Sequence, residues 1–223
     1  LSYIFQFSVI AIIVLFQPEI RRALEQIGRK GIGTKYWTLG NFSKNTAESE
    51  QRYRNCIQAT VEAAEQLQRL KMGALIVFEM QTKLGDIIDT GTVLNAAPSA
   101  QLIENIFFNK AALHDGAMVI RDGMVYAAGC ILPLTKSDAV SVSLGTRHRA
   151  AIGMSEHSDA IVVVVSEETG QISLARRGVL ARNFTKETLK SELEKLVLAE
   201  YADKNTAEVK PRKFLSGRKG RKK

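Results

Sequence analysis

The segment DAIVVVVSEETGQISLARRG, residues 159–178, is the strongest constraint on how this chain folds. Residues 160–165 form an unbroken apolar run with five β-branched members, which has the length of a strand rather than of a helix. A strand without a polar face must be covered on both of its faces. GALIVFE, residues 73–79, is a second run of this kind. The chain therefore needs a sheet with further layers packed on both sides.

Two segments predict β-hairpins. AMVIRDGMVYAAGCIL, residues 117–132, divides at Asp122–Gly123, a residue pair that tight hairpin turns favour. Residues 159–178 repeat the design with a longer turn around residues 168–170. GTVLNA, residues 91–96, predicts a further strand.

The remaining apolar positions have helical spacing. Helices are predicted over residues 50–71, over 98–113 behind a Ser99 cap, and over 186–202 behind a Thr185 cap. Strands interleaved with helices predict an α/β fold in which a mixed central β-sheet is covered by helices.

The first 16 residues, LSYIFQFSVIAIIVLF, contain no charge. Sixteen helical residues at about 1.5 Å each fall a little short of the roughly 30 Å hydrocarbon layer, so a complete span needs residues upstream. The basic residues of RRALEQIGRK, 21–30, mark the cytoplasmic side of such a span. We predict that residues 1–16 end a transmembrane helix and that residues 17–49 form a juxtamembrane helix and a linker. A buried core helix remains an alternative, and a signal peptide is disfavoured because its charges should come first.

The net charge of +8 is concentrated at the C-terminus. Residues 204–223 hold nine Lys or Arg and one acid, whereas residues 1–203 hold 22 of each sign. We predict a disordered basic tail over 204–223, which either stays solvated or binds an anionic membrane surface. Because the body of the chain is neutral, nucleic-acid binding is the minority interpretation.

The body, residues 50–203, has the size of one domain. Its two cysteines, Cys56 and Cys130, match neither a metal-binding nor a redox spacing, and we expect both to be reduced and structural.

The segment GTRHR, residues 145–149, places cations where a helix begins. A strand predicted over 140–144 leads into Gly145 and Thr146, and Arg147 to Arg149 open the helix. Cations are unfavourable at a helix N-terminus unless an anion binds there. The pattern therefore indicates a phosphate cradle in which the Thr146 hydroxyl takes part. In the alternative interpretation, both arginines pair with surface acids.

Two further polar segments adjoin apolar strands. His114 and Asp115 precede Gly116 and the strand that starts at Ala117. Asp115 could hold a divalent cation or accept a proton, and His114 could be a second ligand, although an Asp that caps the turn is equally compatible. Ser166, Glu167 and Glu168 follow the apolar run 160–165, as site residues at a strand end or as a solvated turn.

HDGA at 114–117 and GTRHR at 145–149, with a hairpin between them, resemble the two signature motifs of the diadenylate cyclase family. The resemblance covers about residues 50–201. The segment FQPEIRRALEQIGR, 16–29, resembles the membrane-anchored class of this family from Gram-positive bacteria. The resemblance implies a cell-membrane location with a cytoplasmic catalytic domain.

This family condenses two ATP into cyclic di-AMP and two pyrophosphates with a divalent metal, Mn²⁺, Mg²⁺ or Co²⁺. The catalytic residues that the resemblance implies are Asp115, Gly116, Arg147, His148 and Arg149. The implied nucleotide-binding residues are Ala117, Leu132, Gly145, Thr146, Arg147 and Ser166. The implied residues at the metal are His114, Asp115 and Glu168. Many relatives carry an aromatic residue about where Ile131 stands, so base stacking is expected to be weaker here.

Each α-phosphate must meet the 3′-hydroxyl of the other nucleotide, so the activity implies a face-to-face homodimer. By resemblance, a membrane-anchored regulator and phosphoglucosamine mutase are expected partners. Two other functions remain open: a tethered nucleotide sensor without turnover, and a basic-tailed adaptor for nucleic acid or a lipid surface.

Overall fold

The computed structural model describes residues 42–136 and 145–199, with side chains from residue 48 onward. Its helices are α1 (Phe42–Leu70), α2 (Gly85–Ile88), α3 (Ala100–Ile106), α4 (Thr146–His157) and α5 (Lys186–Leu193), and α5 continues as a π-helix over Glu194–Leu198. Its strands are β1 (Ala74–Phe78), β2 (Thr92–Ala96), β3 (Ala117–Arg121), β4 (Met124–Cys130), β5 (Ile161–Val165), β6 (Ile172–Arg176) and β7 (Val179–Phe184).

Within these ranges, seven strands form one mixed sheet in the order β2-β4-β3-β1-β5-β6-β7. β1 is parallel to β3, and Val77 is the partner of Val119. The other neighbouring pairs are antiparallel; in β1 and β5, Val77 is opposite Val162. Every residue of β1 and of β5 is buried. The two apolar runs are therefore strands covered on both faces, and the predicted mixed α/β sheet is confirmed.

Two apolar layers sandwich the sheet because successive strand residues point to opposite faces. Ile76 and Phe78 contribute to the layer that holds buried residues of α1, α3 and α5. Leu75 and Val77 contribute to the layer that holds buried residues of α2 and α4. The predicted chemistry-bearing segments lie around this second layer, which we call the α4 face.

Three hairpins shape the antiparallel parts of the sheet. The predicted turn between β3 and β4 is confirmed, with Asp122 and Gly123 both at positive φ, 52° and 73°. The predicted hairpin of β5 and β6 is confirmed too. A third hairpin, between β6 and β7, turns at Arg177 and Gly178, where φ is 50° and 76°. Sequence reasoning ended the strands at Gly178 and did not find β7.

Several predicted boundaries differ from the structure. Helix α1 starts at Phe42 rather than at residue 50, so residues 42–49 are helical and not part of a linker. Helix α3 ends at Ile106 rather than at 113, and Lys110 at φ 69° belongs to the turns that follow. The Ser99 cap is confirmed, because its hydroxyl accepts the Leu102 N–H. The Thr185 cap likewise accepts the Thr188 N–H.

The predicted transmembrane segment 1–16, the strand over 140–144 and the tail over 204–223 lie outside the described residues. In the ranges 42–136 and 145–199, no helix combines the length and apolar character needed to cross a membrane. Cys56 and Cys130 are both free and buried, as predicted.

Candidate functional site

The first turn of α4 lies at the centre of the site. Gly145 is its N-cap in an extended conformation, with φ −61° and ψ 166°, and no side chain caps the helix. The first turn has no acidic residue, while Thr146 and Arg147 open it. This helix end therefore offers backbone N–H groups and a cationic side chain to an anion, because the helix itself provides no acidic side chain there.

A cleft of about 410 Å³ brings the two motifs together. Its lining includes Asp115 and Gly116 of one motif and Thr146 and Arg147 of the other. The rest of its lining is largely apolar: Leu75, Gly129, Cys130, Ile131, Leu132, Leu134 and Ala150. The prediction that Asp115 and Arg147 share one cleft is confirmed.

Gly116 is required where the chain enters this cleft. Its φ is 97°, a conformation that residues with a Cβ rarely adopt. A Cβ at this position would also lie 2.8 Å from the carbonyl oxygen of Cys130 in the neighbouring strand. The backbone can therefore pack against β4 here only because residue 116 has no side chain, and this packing holds the main chain next to Asp115.

A smaller pocket of about 90 Å³ adjoins the cleft. Thr146 and Arg147 line both cavities and so form their common boundary. The smaller pocket is polar and lies between the start of α4 and the end of β5. The rest of its lining is Gly145, His148, Val165, Ser166, Glu167, Glu168, Thr169, Gln171 and Arg182. The strand-end residues Ser166 and Glu168 are thus placed beside the GTRHR motif, as predicted.

The Arg147 guanidinium donates a hydrogen bond to the Glu167 carboxylate and forms an ion pair with it. The Arg147 side chain is 20% exposed and that of Glu167 is 61% exposed, so the pair faces solvent from the glutamate side. Of the alternatives left open by the sequence, pairing with a surface acid therefore holds for Arg147. Such exposed pairs contribute only about 0–1 kcal/mol, so an incoming phosphate can compete for the guanidinium.

His148 lies inside the domain rather than on its surface, with 8% exposure. Burial lowers the pKa of its imidazole, the Arg182 charge lowers it further, and Glu168 partly opposes both effects. The imidazole is accordingly neutral at pH 7. It lines the smaller pocket as a neutral side chain and not as a third cation.

Comparison with known proteins places this arrangement in a family. The family described as "DAC: DisA bacterial checkpoint controller nucleotide-binding" matches residues 61–180, which contain both motifs. The chain belongs to the DAC family.

Similar DAC-family proteins include the "Cyclic di-AMP synthase CdaA" of Bacillus subtilis, which is 44% identical over 185 residues. That match covers 83% of this chain and 64% of the relative, so the chain spans somewhat less than two thirds of that protein. The "Diadenylate cyclase" of Mycoplasma pneumoniae is 35% identical over 180 residues, which cover 78% of this chain and 86% of the relative.

Solved structures of similar proteins have the same fold. A double mutant of DacA from Staphylococcus aureus superposes with a TM-score of 0.62 at 44% identity and covers 63% of this chain and 94% of that one. A "hypothetical membrane spanning protein from Bacillus cereus" superposes with a TM-score of 0.55 at 49% identity, with 56% and 62% covered.

A divalent metal, expected for a DAC-family cyclase, is compatible with His114. Its Nδ1 lies 2.6 Å from the Ala111 carbonyl oxygen and donates to it, which leaves Nε2 as a free ligand. The three predicted metal residues do not converge, however: Asp115 lines the larger cleft, Glu168 lines the smaller pocket, and His114 lines neither. Among the described residues no group of three His, Cys, Asp or Glu could hold a metal. The site suits a metal that takes most of its ligands from phosphates and water, as Mg²⁺ commonly does.

Besides His114, two predicted residues lie outside both cavities. Ala117 is fully buried in β3. Arg149 is exposed and lines neither pocket. Arg147 and Arg149 lie about 200° apart around the helix axis, since each residue turns it by about 100°. One anion at the helix terminus therefore cannot engage both side chains equally.

Sequence reasoning missed Thr169, Gln171 and Arg182, which line the smaller pocket. Thr169 and Gln171 lie in the β5–β6 turn, and Arg182 lies on β7. The available signal for β7 was the Arg177–Gly178 pair, which resembles the Asp122–Gly123 turn and precedes the apolar residues Val179 to Ala181.

Proposed function

We propose that this protein is a diadenylate cyclase, which condenses two ATP into cyclic di-AMP and two pyrophosphates. The observation that carries the proposal is the shared cleft of Asp115 and Arg147, which joins a carboxylate to a phosphate-binding helix terminus. Membership of the DAC family supports it, as do the names of the relatives from Bacillus subtilis and Mycoplasma pneumoniae.

The two cavities differ in a way that matches the two parts of a nucleotide. The larger cleft has an apolar wall, with Ile131 68% exposed and Leu132 7% exposed, and it takes the adenosine. The Ile131 N–H donates to the Thr90 hydroxyl at 2.9 Å, which anchors this wall. The polar terminus of α4 takes the phosphates through Thr146 and Arg147.

The reaction forms one phosphodiester bond for each nucleotide. The Asp115 carboxylate accepts the proton of a ribose 3′-hydroxyl, and the oxygen attacks the α-phosphorus of the other ATP. The bond from that phosphorus to the oxygen bridging the β-phosphate breaks, and pyrophosphate leaves with the electron pair. Arg147 stabilises the charge on the phosphoryl oxygens. His114 Nε2 and the Asp115 carboxylate would be available to hold a divalent metal, which would supply further positive charge for the phosphoryl oxygens.

Catalysis requires two protomers, because each cleft holds one nucleotide and each α-phosphate reacts with the other nucleotide's ribose. We propose a face-to-face homodimer. Membrane anchoring through residues upstream of the described range raises the local concentration of such domains. The description of the similar Bacillus cereus protein as membrane spanning supports this anchoring. A membrane-anchored regulator and phosphoglucosamine mutase are proposed as partners on resemblance alone.

The test is to incubate the full chain with ATP and Mn²⁺ and to resolve the products by chromatography. Cyclic di-AMP and pyrophosphate in a 1:2 ratio are expected, with activity per molecule falling as the protein is diluted below the concentration at which it dimerises. Asp115→Asn should lose product while circular dichroism shows an unchanged fold. Asp86→Asn, which neutralises an exposed acid of α2 outside both cavities, should behave as the wild type.

Binding of ATP without any dinucleotide would instead favour the sensor. Wild-type turnover in Asp115→Asn would remove this carboxylate from the mechanism.

A further inference from the structure

Arg182 is a cation of the smaller pocket that the family motifs do not include. It lies on β7, opposite Ser173 of β6, and Ser173 in turn pairs with Val164 of β5. Paired residues of neighbouring strands point to the same face of a sheet. Since Val164 belongs to the apolar layer on the α4 face, the side chain of Arg182 points from the sheet toward α4.

The charge of Arg182 acts on the pocket. It lowers the pKa of the neighbouring His148 imidazole, as burial does to a larger extent, whereas Glu168 raises it. Among the residues that the structure describes, Arg182 takes part in no salt bridge. Arg147, by contrast, is paired with Glu167. Arg182 is thus the lining cation whose charge no carboxylate of the described residues engages directly.

The balance of charges makes this cation matter for an anionic ligand. With His148 neutral, the charged side chains lining the smaller pocket are Arg147, Arg182, Glu167 and Glu168. The two positive and two negative charges sum to zero, so removing Arg182 leaves the pocket with a net negative charge. A polyphosphate would then meet two carboxylates and a single arginine that one of them already binds.

Position and size indicate which phosphates reach this pocket. Thr146 and Arg147 separate it from the larger cleft, so an α-phosphate held at that boundary directs the rest of the triphosphate into the smaller pocket. Its volume, about 90 Å³ against about 410 Å³, suits a phosphate tail rather than a nucleoside.

Resting on the cyclase function proposed above, we propose that Arg182 binds the β- and γ-phosphates of ATP and then the departing pyrophosphate. When the bond between the α-phosphorus and the bridging oxygen breaks, its electron pair passes to pyrophosphate. The guanidinium can donate two parallel hydrogen bonds to the oxygens that gain this charge. Arg182 is therefore a residue that stabilises the leaving group.

The experiment compares the full chain with Arg182→Ala, Arg182→Lys and Arg177→Ala. Arg177 is an exposed arginine at the opposite end of the same hairpin, outside both cavities, and controls for the loss of one charge. Calorimetry in the presence of Mn²⁺ measures the binding of inorganic pyrophosphate and of AMP. Turnover assays measure the KM for ATP and the inhibition by pyrophosphate.

Arg182→Ala should weaken pyrophosphate binding about tenfold, corresponding to the loss of one charge-assisted contact, and should raise the KM for ATP by a similar factor. AMP binding should not change. Arg182→Lys should recover part of the loss, because it keeps the charge without the fork, and Arg177→Ala should match the wild type.

Unchanged pyrophosphate binding in Arg182→Ala would overturn the proposal. Equal weakening of AMP and pyrophosphate would overturn it too, since that pattern means a distorted site. Pyrophosphate binding that depends on Arg182, in a wild-type chain that makes no dinucleotide, would support the subsite while refuting the cyclase function.

Discussion

Arg147 and Gly73 are in contact across the α4 face, although they are far apart in the sequence. The guanidinium lies over the glycine so closely that a Cβ at residue 73 would be 2.7 Å from Nη1 and 2.9 Å from Cζ. Oε2 of Glu167, the ion-pair partner of Arg147, would be 3.0 Å away. The position of the Arg147 guanidinium therefore depends on the absence of a side chain at Gly73, just before β1.

Gly73→Ala should move the Arg147 guanidinium and weaken ATP binding about tenfold, since one charge-assisted contact would be displaced. The free energy of unfolding should change by less than about 1 kcal/mol, because a flexible side chain can move away. The measurements are ATP titration and urea denaturation.

Gly85→Ala is the matched control, since a Cβ at residue 85 would meet nothing within 4 Å. Equal ATP affinities in the two variants would show that the clearance at Gly73 does not position Arg147.

Glu167→Gln should strengthen ATP binding by up to about fivefold. The Glu167 carboxylate competes with the ATP phosphates for Arg147, and its negative charge repels those phosphates. Exposed ion pairs of this kind contribute up to about 1 kcal/mol. The measurement is ATP affinity at low and at physiological salt, with a smaller gain expected at higher salt.

Glu65→Gln is the control for this variant, because it breaks ion pairs with Arg69 and Lys186 outside both cavities. Weaker ATP binding in Glu167→Gln would mean that Glu167 holds Arg147 in place for the nucleotide and does not compete with it.

The sequence predicted the elements whose patterns are local. The run Ile161–Val165 has no polar face, and Asp122–Gly123 can adopt the positive φ angles of a tight turn, so both were recognisable without knowledge of their neighbours. Asp115 and Gly116 were recognisable for the same reason, because a charged residue and a glycine interrupt the entry to an apolar strand.

The missed features depend on contacts between distant segments. β7 has exposed residues along most of its length and follows a turn without a strong hairpin pair, so its pairing with β6 decides its structure. The burial of His148 arises from packing between α4 and the sheet. Arg149 lines neither cavity, so its role as a catalytic residue stays a prediction.

Gly116→Ala should destabilise the domain by about 3 kcal/mol or more and abolish turnover. Its φ of 97° is strained for alanine, and the new Cβ would overlap backbone atoms of β4 that cannot move independently.

Gly178→Ala separates the two causes, because its φ of 76° is also positive but its closest neighbour is the flexible side chain of Glu156. This control should lose about 1 kcal/mol and keep its activity. Urea denaturation measures the stability of the two variants, and product assays measure their activity. Equal losses of stability in Gly116→Ala and Gly178→Ala would show that the overlap with the β4 backbone has no effect.

The stability of the wild type should fall as the pH drops from about 7.5 toward 5.5, and His148 should account for part of the fall. Burial, with Arg182 nearby, holds the pKa of His148 below its ordinary value of 6.5 in the folded state. The unfolded chain therefore takes up this proton at a higher pH than the folded chain does. As the pH falls through about 6.5, protonation of His148 consequently favours unfolding, and well above that pH it has no effect.

The Glu79 carboxyl acts in a separate, more acidic window. Burial raises its pKa, but Arg121, the Leu84 N–H and Lys83 outweigh burial and hold the pKa below its ordinary value of 4.5. Its contribution to stability is therefore complete above pH 4.5 and is lost only as the pH falls further, so it does not contribute to the change between pH 7.5 and 5.5.

Urea denaturation at about pH 7.5 and 5.5 should accordingly show a smaller difference in stability for His148→Gln than for the wild type. His157→Gln, on the same helix but outside both cavities, is the control for the loss of one imidazole. The comparison isolates burial as the cause, because both variants remove one imidazole from α4 and, of the two, only His148 is buried. An unchanged difference in His148→Gln would mean that this imidazole is not the group that titrates.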